Sequence, residues 1–471
     1  MENDPTLPFD EVQVGAPPTA PRVFRGLRVH SQLGAGGMGT TWLASHPVLR
    51  VPFVVKRFQP QTATAEALFR EAAFAARVTS PFVAPVVDAG LEQGEPFVVQ
   101  RYVDGVDLEE LVRRFAALGR PMPLGVVVRA VADAARGLHS IHQAGVVHRD
   151  VKPANLFLSG GGDTLVGDFG IAVEARAQSL GEGLAGTPPF MAPEQWNPLA
   201  PERVDRHADV YALGVAAHRL ATGEFPFNAS DLRGYRQAHL TTPYAPPRST
   251  EPRAAYFYAV VERALAKSPA QRWPNADALA RALATIAERP PFPERIEGGV
   301  RFGDLSVRLL HADILEAVER LQPQVVVCAA NDALRMRAGV AEVLRGAAGD
   351  AVEDEATKHA PAALGDVVFT SAGKLKALWM AHAVAAVEGA FCLQRCVLRL
   401  CLEAEARGAE RIVMPALGTG IGRVPHELAA KLLFEALRTF ASLRPRVVRS
   451  VDLALVDEAV YDRFRGILDG V

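Results

Sequence analysis

Lys56 closes the apolar run Val51-Pro-Phe-Val-Val-Lys56, an expensive place for an ammonium without an opposite charge beside it. Glu71, in Leu-Phe-Arg-Glu-Ala, falls on the helical segment that follows and can supply that charge. Upstream, Gly34-Ala-Gly36-Gly-Met-Gly39 has a spacing also found in dinucleotide folds, where a helix follows the glycines. In this chain Thr40-Thr-Trp-Leu-Ala44 and then the Lys56 run follow, so the glycines turn between two strands. Backbone N–H groups at such a turn approach phosphate oxygens with no Cβ in the way. Three further groups follow in order: His148-Arg-Asp150-Val-Lys152-Pro-Ala-Asn155, Asp168-Phe-Gly170 and Ala192-Pro-Glu194.

The elements that must carry these residues are strand-rich first and helix-rich later. Strand-like alternation begins near Val23 and passes the glycines to Ala44, and Val51 to Phe58 reads as a second strand. Helical periodicity covers Ala65 to Val78, and Val128, Val131, Ala135 and Leu138 mark the inward face of a long helix. That order fits a two-lobed domain better than a repeating βα fold. Residues 1–22 are Pro-rich with few large apolar side chains and read as a flexible arm. Residues 289–295 read as a Pro-stiffened linker. Beyond it, apolar strands at Gln324 to Cys328, Val367 to Phe369, Ile412 to Met414 and Val451 to Val456 alternate with helical segments, as in an α/β layer fold.

The ordered set over residues 23–288 resembles the eukaryotic-type protein kinase superfamily, most of all its bacterial Ser/Thr members. The resemblance implies an α+β two-lobed fold, ATP and Mg²⁺ as co-substrate and metal, and a protein Ser or Thr as acceptor. Phosphoryl transfer needs positioning and charge neutralisation more than covalent help. By resemblance Lys56 holds the α/β-phosphates and Glu71 fixes Lys56. Asn155 and Asp168 are oxygen ligands for Mg²⁺, a cation that prefers oxygen. Asp150 orients the acceptor hydroxyl, Lys152 neutralises the γ-phosphate, and Thr187 bonds both. Leu33, Gly34, Gly36, Gly39, Thr41, Val54, Gln100, Arg101, Val103 and Phe157 would surround the nucleotide. Arg149 would pair with a phosphorylated activation loop, where Ser179 is the one hydroxyl side chain between Phe169 and Thr187. Glu194 with Arg272, and Asp209 beneath the catalytic loop, have structural roles in the same pattern. Departures cluster at the adenine: Val54 replaces a common Ala, and Arg101 a frequent Glu.

A second resemblance covers residues 296–471. Ala312-Asp313-Ile314, Val325 to Asn331, Ala338-Gly339-Val340-Ala341, Thr370 to Val384, and Pro415-Ala-Leu-Gly418-Thr-Gly-Ile-Gly-Arg-Val-Pro425 resemble a macrodomain, an α/β mixed sheet between helices. That family binds ADP-ribose. The resemblance implies that Asp313, beside Ile314, reads the adenine amino group and that Asn331 contacts the proximal ribose. Gly339, Val340, Gly418, Thr419, Gly420, Ile421 and Gly422 would wrap the diphosphate with backbone N–H groups. Arg337 stands where the family usually has glycine, and either blocks the loop or adds a cation. Ala341 stands where several hydrolytic members carry Asp, which favours a reader over a hydrolase.

A net charge of −2 gives no basic footprint for nucleic acid. No apolar run reaches the ~18 residues of a membrane span, and the acidic, Pro-rich start is not a signal peptide. Cys328, Cys392, Cys396 and Cys401 read as reduced core residues of a cytoplasmic protein. The expected molecule is a cytoplasmic Ser/Thr kinase whose second domain senses free or protein-linked ADP-ribose. Its rivals are a kinase joined to an ADP-ribosyl hydrolase and a nucleotide-binding scaffold without transferase activity.

Overall fold

The structure is a computed structural model that describes residues 23–36, 39–49, 51–59, 69, 72–73, 75–168, 186–197, 204–387, 390–420 and 422–470. Six antiparallel strands form the first sheet: β1 (Val23–Phe24), β2 (Leu27–Gly36), β3 (Gly39–Ser45), β4 (Pro52–Phe58), β5 (Val86–Glu92) and β6 (Glu95–Arg101), in the order β1-β2-β3-β4-β6-β5. The glycine turn joins β2 to β3, with Gly36 paired to Gly39. Gly39 has φ +145°, and a Cβ there would meet the Arg57 carbonyl oxygen at 1.8 Å. Only glycine fits that close strand crossing.

The second lobe begins with β7 (Gly105–Asp107), which pairs with β8 (Leu156–Ser159), itself paired with β9 (Thr164–Val166). Helices α1 (Leu108–Ala117), α2 (Leu124–Gln143), α3 (Arg206–Thr222), α4 (Leu232–Thr241), α5 (Pro252–Ala264) and α6 (Ala276–Ala284) complete it. Asp107 starts α1 by accepting from the Glu110 amide at 2.8 Å. Val128, Val131, Ala135 and Leu138 of α2 are buried, as the 3.6-residue period requires.

The second domain holds a mixed eight-stranded sheet in the order β10-β11-β12-β19-β18-β13-β15-β14. The strands are β10 (Pro293–Ile296), β11 (Gly299–Phe302), β12 (Leu305–His311), β13 (Val325–Ala329), β14 (Val367–Ser371), β15 (Trp379–Ala383), β18 (Arg411–Met414) and β19 (Ser450–Leu455), and a separate pair is β16 (Ala386–Val387) with β17 (Ala390–Phe391). Strands β12, β19, β18, β13 and β15 run parallel, and β10, β11 and β14 are antiparallel edges. The helices are α7 (Ile314–Leu321), α8 (Gly339–Ala348), α9 (Ala351–Thr357), α10 (Leu393–Ala406), α11 (His426–Ser442) and α12 (Glu458–Asp469). The end of the Pro-rich stretch is thus already a strand of this sheet. All four cysteines are buried and free, and no cluster of metal-ligating side chains exists among the described residues.

The two domains share a core. One continuous buried cluster holds Leu138 and Leu111 of the helical lobe together with Val397, Phe434 and Val451 of the second domain. A cut between the domains would expose apolar surface on both sides.

Candidate active site and ligand cavity

The catalytic loop is wired before any substrate arrives. Asp150 is 4% exposed, and its Oδ1 accepts from the Thr187 hydroxyl at 2.7 Å. Lys152 Nζ lies 3.0 Å from Asp150 Oδ2 and donates to the Thr187 hydroxyl at 2.7 Å. Asn155 Nδ2 donates to the Asp150 carbonyl at 2.9 Å and to its carboxylate at 3.1 Å. Using the amide nitrogen this way fixes the orientation of the Asn155 side chain and leaves its oxygen as an acceptor. Burial lowers the pKa of the Lys152 ammonium, and the charge of Asp168 partly opposes that.

The β8–β9 hairpin brings the two proposed metal ligands together, because Asn155 precedes β8 and Asp168 follows β9. The Gly167 amide donates to the Asn155 carbonyl at 2.9 Å. Lys56 ion-pairs with the Asp168 carboxylate across the cleft. Asp168 and Arg149 both hold left-handed backbone, φ +56° and +63°. Non-glycine residues in that region carry strain that surrounding contacts must hold. Asp209 supplies those contacts at Arg149. Fully buried, it accepts from the His148 amide at 2.8 Å, the Arg149 amide at 2.7 Å and the His142 ring at 2.7 Å. Burial alone would raise its pKa, but the bond and charge of His142 hold it below the usual range. Glu194 and Arg272 form a two-pronged pair at 2.8 Å, with Arg272 2% exposed. Glu71, Ile421 and Ser179 lie outside the described residues, so the Glu71–Lys56 pairing, the Ile421 contact and the activation-loop serine stay as expectations.

Around the adenine side, Gln100 is 4% exposed and pairs in register with Val54. The Arg101 amide donates to the Pro85 carbonyl at 2.9 Å and the Tyr102 amide to the Pro52 carbonyl at 3.2 Å. These bonds pin the segment between the lobes, whose side chain at Arg101 points to solvent. Thr41 and Lys56 are register partners on β3 and β4. Leu33 is partly exposed near the glycine turn. Phe157 lies on β8, and Gly167 packs so tightly on its ring that a Cβ there would come within 2.8 Å.

In the second domain, a cavity of about 520 Å³ opens at the carboxyl ends of β13, β18 and β19, where parallel α/β sheets bind ligands. Asn331, Gly339, Val340, Gly418, Thr419, Gly420 and Gly422 line it. A Cβ at Gly420 would meet nothing within 4 Å, whereas one at Gly422 would strike Ala386 at 2.4 Å. Asp313 is exposed and starts α7 by accepting from the Leu315 amide at 2.8 Å, and neither it nor Ile314 is among the cavity's lining residues. Asn331 staples its own loop, accepting from the Arg335 amide at 3.1 Å and donating to the Arg335 carbonyl at 3.3 Å. Arg337 lines the cavity with its Nε 3.6 Å from the Glu353 carboxylate, and Gly339 and Val340 still face the same space. The arginine therefore adds a cation without closing the loop. Asp332, Arg335 and Asp457 also line the cavity. Sequence reasoning passed over them, although Asp457 directly follows β19 and the strand-end rule points there.

Two family models match the chain. The protein kinase domain matches residues 27–283, just over half of the chain, and the macro domain matches residues 327–433. The chain belongs to the protein kinase family and carries a macrodomain after its kinase fold. Serine/threonine-protein kinase PknH of Mycobacterium tuberculosis is 34% identical over 258 residues, 53% of this chain and 40% of the relative. Serine/threonine-protein kinase Pkn1 of Myxococcus xanthus is 34% identical over 268 residues, 54% of this chain and 37% of the relative. A protein named tyrosine-protein kinase MasK, also of Myxococcus xanthus, is 34% identical over 273 residues, 54% of this chain and 42% of the relative. The chain thus spans less than half the length of these relatives. The crystal structure of the Mycobacterium tuberculosis PknI kinase domain aligns with 56% of this chain and 97% of that one, at 30% identity and TM-score 0.43.

Proposed function

We propose that the chain is an ATP-dependent Ser/Thr protein kinase whose C-terminal macrodomain binds ADP-ribose or an ADP-ribosylated protein. The observation that carries the kinase reading is the Asp150–Lys152–Thr187 network. It presents a carboxylate where an acceptor hydroxyl can lose its proton, with an ammonium beside it. Asp150 orients that hydroxyl and takes its proton as the oxygen attacks phosphorus. Lys152 stands ready to offset negative charge on the phosphoryl oxygens, and Lys56 to hold the non-transferred phosphates. The oxygen donors of Asn155 and Asp168 fit a hard divalent cation, and would hold Mg²⁺. When bound, that ion supplies further charge neutralisation of the phosphates.

Lys152 and its bond to Thr187 support Ser/Thr acceptors, even though one relative is named for tyrosine. Arg149 and Ser179 remain the candidates for activation by phosphorylation. No helix among the described residues is long and apolar enough to cross a membrane.

The macrodomain reading rests on the cavity's glycine-lined floor and on Arg337. Backbone N–H groups with an added cation suit a diphosphate. Ala341, which lines the same cavity, puts an inert methyl group where several hydrolytic members carry Asp, and this supports binding over hydrolysis. Incubation of the purified chain with labelled Mg-ATP and a mixed protein substrate, followed by phosphoamino-acid analysis, tests the kinase reading. Phosphoserine or phosphothreonine is expected. Phosphotyrosine alone would overturn the acceptor assignment, and no label would favour a scaffold.

A further inference from the structure

Past the exposed Arg101, the kinase segment between the two lobes faces the macrodomain at Tyr102 and Asp104. Asp104, one residue past Val103, accepts from the amides of Gln394 and Arg395 at 3.0 and 2.8 Å. It therefore caps the first turn of α10, a helix of the other domain. The Arg395 guanidinium reaches the Tyr102 hydroxyl at 3.4 Å. One turn further along α10, Arg399 forms two bonds to Glu110 of the kinase helix α1, at 3.0 and 2.8 Å. Burial would raise the pKa of Glu110, but the hydrogen bond and charge of Arg399, with Arg114, hold it below the usual range. On the strand side, Leu43 of β3 is fully buried in a cluster with Leu334, Val384 and Cys392 of the macrodomain, and Tyr102 packs against it. A Cβ on Gly160 would meet Gln394 at 2.2 Å, so the helical lobe also touches α10 at glycine distance.

The macrodomain thus grips the strand lobe, the connecting segment and the helical lobe at once. Kinase lobes open and close about that segment as nucleotide enters and leaves. A body fixed to both lobes and to the hinge restricts that motion.

We propose that the macrodomain is a positioning part of the ATP site, with Asp104 and Arg399 as the residues that lock the hinge to it, and that its own cavity is read out through the same contacts. The second half follows from where the cavity wall lies. Ala330 lines the cavity and packs on the Leu43 cluster. The carbonyl of Ala385, another lining residue, accepts from the amide of Cys392, a cluster member immediately before α10. Cavity and hinge are therefore separated by one layer of chain. A ligand that orders this wall shifts the population of hinge arrangements. This half rests on the ADP-ribose reading, and the first half does not.

The test measures the Michaelis constant for ATP and kcat of the full chain as wild type, Arg399→Ala, Asp104→Ala and Asp104→Asn, each checked for folding by thermal unfolding. Neither residue touches the nucleotide in the scheme above. If loosening the lock leaves the competent hinge populated about a tenth to a third of the time, apparent ATP affinity falls about three- to tenfold. The expected result is that rise in KM for Arg399→Ala and Asp104→Ala with kcat within about twofold, and partial recovery in Asp104→Asn, which keeps one of the two oxygen acceptors for the helix amides. An unchanged KM in both folded alanine variants would overturn the lock. Adding ADP-ribose to wild type should move KM for ATP, and Arg399→Ala should blunt the response. Calorimetric binding of ADP-ribose with no change in either constant would overturn the relay. Absence of binding heat would count against the cavity's proposed ligand and hence the relay, while a raised KM in the variants would still support the lock.

Discussion

The catalytic loop and the macrodomain cavity solve opposite problems. The loop handles charge with side chains, and each one is held by another: Asp150 by Thr187 and Asn155, Lys152 by Thr187, the backbone at Arg149 by Asp209. The cavity is lined mostly by Ala and Gly, with Asn331, Asp332, Arg335, Arg337, Thr419 and Asp457 as its polar side chains, and Asn331 is bonded to its own loop. A side-chain site should fail sharply when one charged group is changed. A backbone site should tolerate most single side-chain losses and fail when something is added.

The largest effect expected follows from the first half of that contrast. Asp150→Asn keeps the shape and the bond to Thr187 but removes the proton acceptor. A general base of this kind contributes about 10²–10⁴-fold, so phosphotransfer should drop by at least a hundredfold while ATP binding persists. Near wild-type turnover in a single-turnover assay would break the assignment. Next comes Glu194→Ala, which strands the Arg272 guanidinium in the helical lobe. Breaking one partner of a buried pair costs about 3–5 kcal/mol, to be read as a fall in the denaturation midpoint. A loss below about 1 kcal/mol would show that the carbonyls of Ala266, His207 and Lys267, which also bond Arg272, suffice alone.

In the cavity, Gly420→Glu adds bulk and negative charge where a Cβ meets no neighbour, so folding should be unaffected. ADP-ribose affinity should fall at least about tenfold, corresponding to roughly 1.4 kcal/mol, in a fluorescence or calorimetric titration. Asp313→Ala sharpens the comparison. As a helix cap it should cost roughly 0.5–2 kcal/mol of stability, and if it also reads adenine, affinity should fall as well. Stability loss with unchanged affinity would assign Asp313 to the helix alone.

The last effect concerns pH at the junction. Enclosure between the domains pushes Asp104 up to about 6, with the amides of Arg395 and Gln394 opposing. An acid whose folded pKa is raised binds its proton more tightly in the folded state. Its contribution to stability is therefore fully present below about pH 4 and is lost as pH climbs to about 6. The stability of Asp104→Asn relative to wild type should rise across that window and level off above it. A pH-independent difference would show that Asp104 titrates normally.

Much of the kinase site was legible because its motifs are runs of chemistry-bearing residues at fixed spacing. Asp150, Lys152, Asn155 and Thr187 lie in one hydrogen-bonded network, Asp168 pairs with Lys56, Arg272 pairs with Glu194, and Asp209 holds the His148 and Arg149 amides. Four strands of the second domain, β13, β14, β18 and β19, were legible to within two residues as short apolar runs, whereas β10, β11, β12 and β15 were not. The rest was hidden for physical reasons. Asn331 and Asp313 satisfy local amides, a use that spacing cannot separate from ligand contact. The domain junction was hidden because Asp104 and Arg399 are ordinary charged residues nearly 300 positions apart, and only the fold makes them an interface.

The central claim, a kinase whose second domain takes ADP-ribose, is tested most directly by calorimetric titration of ADP-ribose into the full chain. The account predicts a saturable heat with one site per chain that disappears in Gly420→Glu. A folded wild-type sample that gives no heat with millimolar ADP-ribose would contradict it.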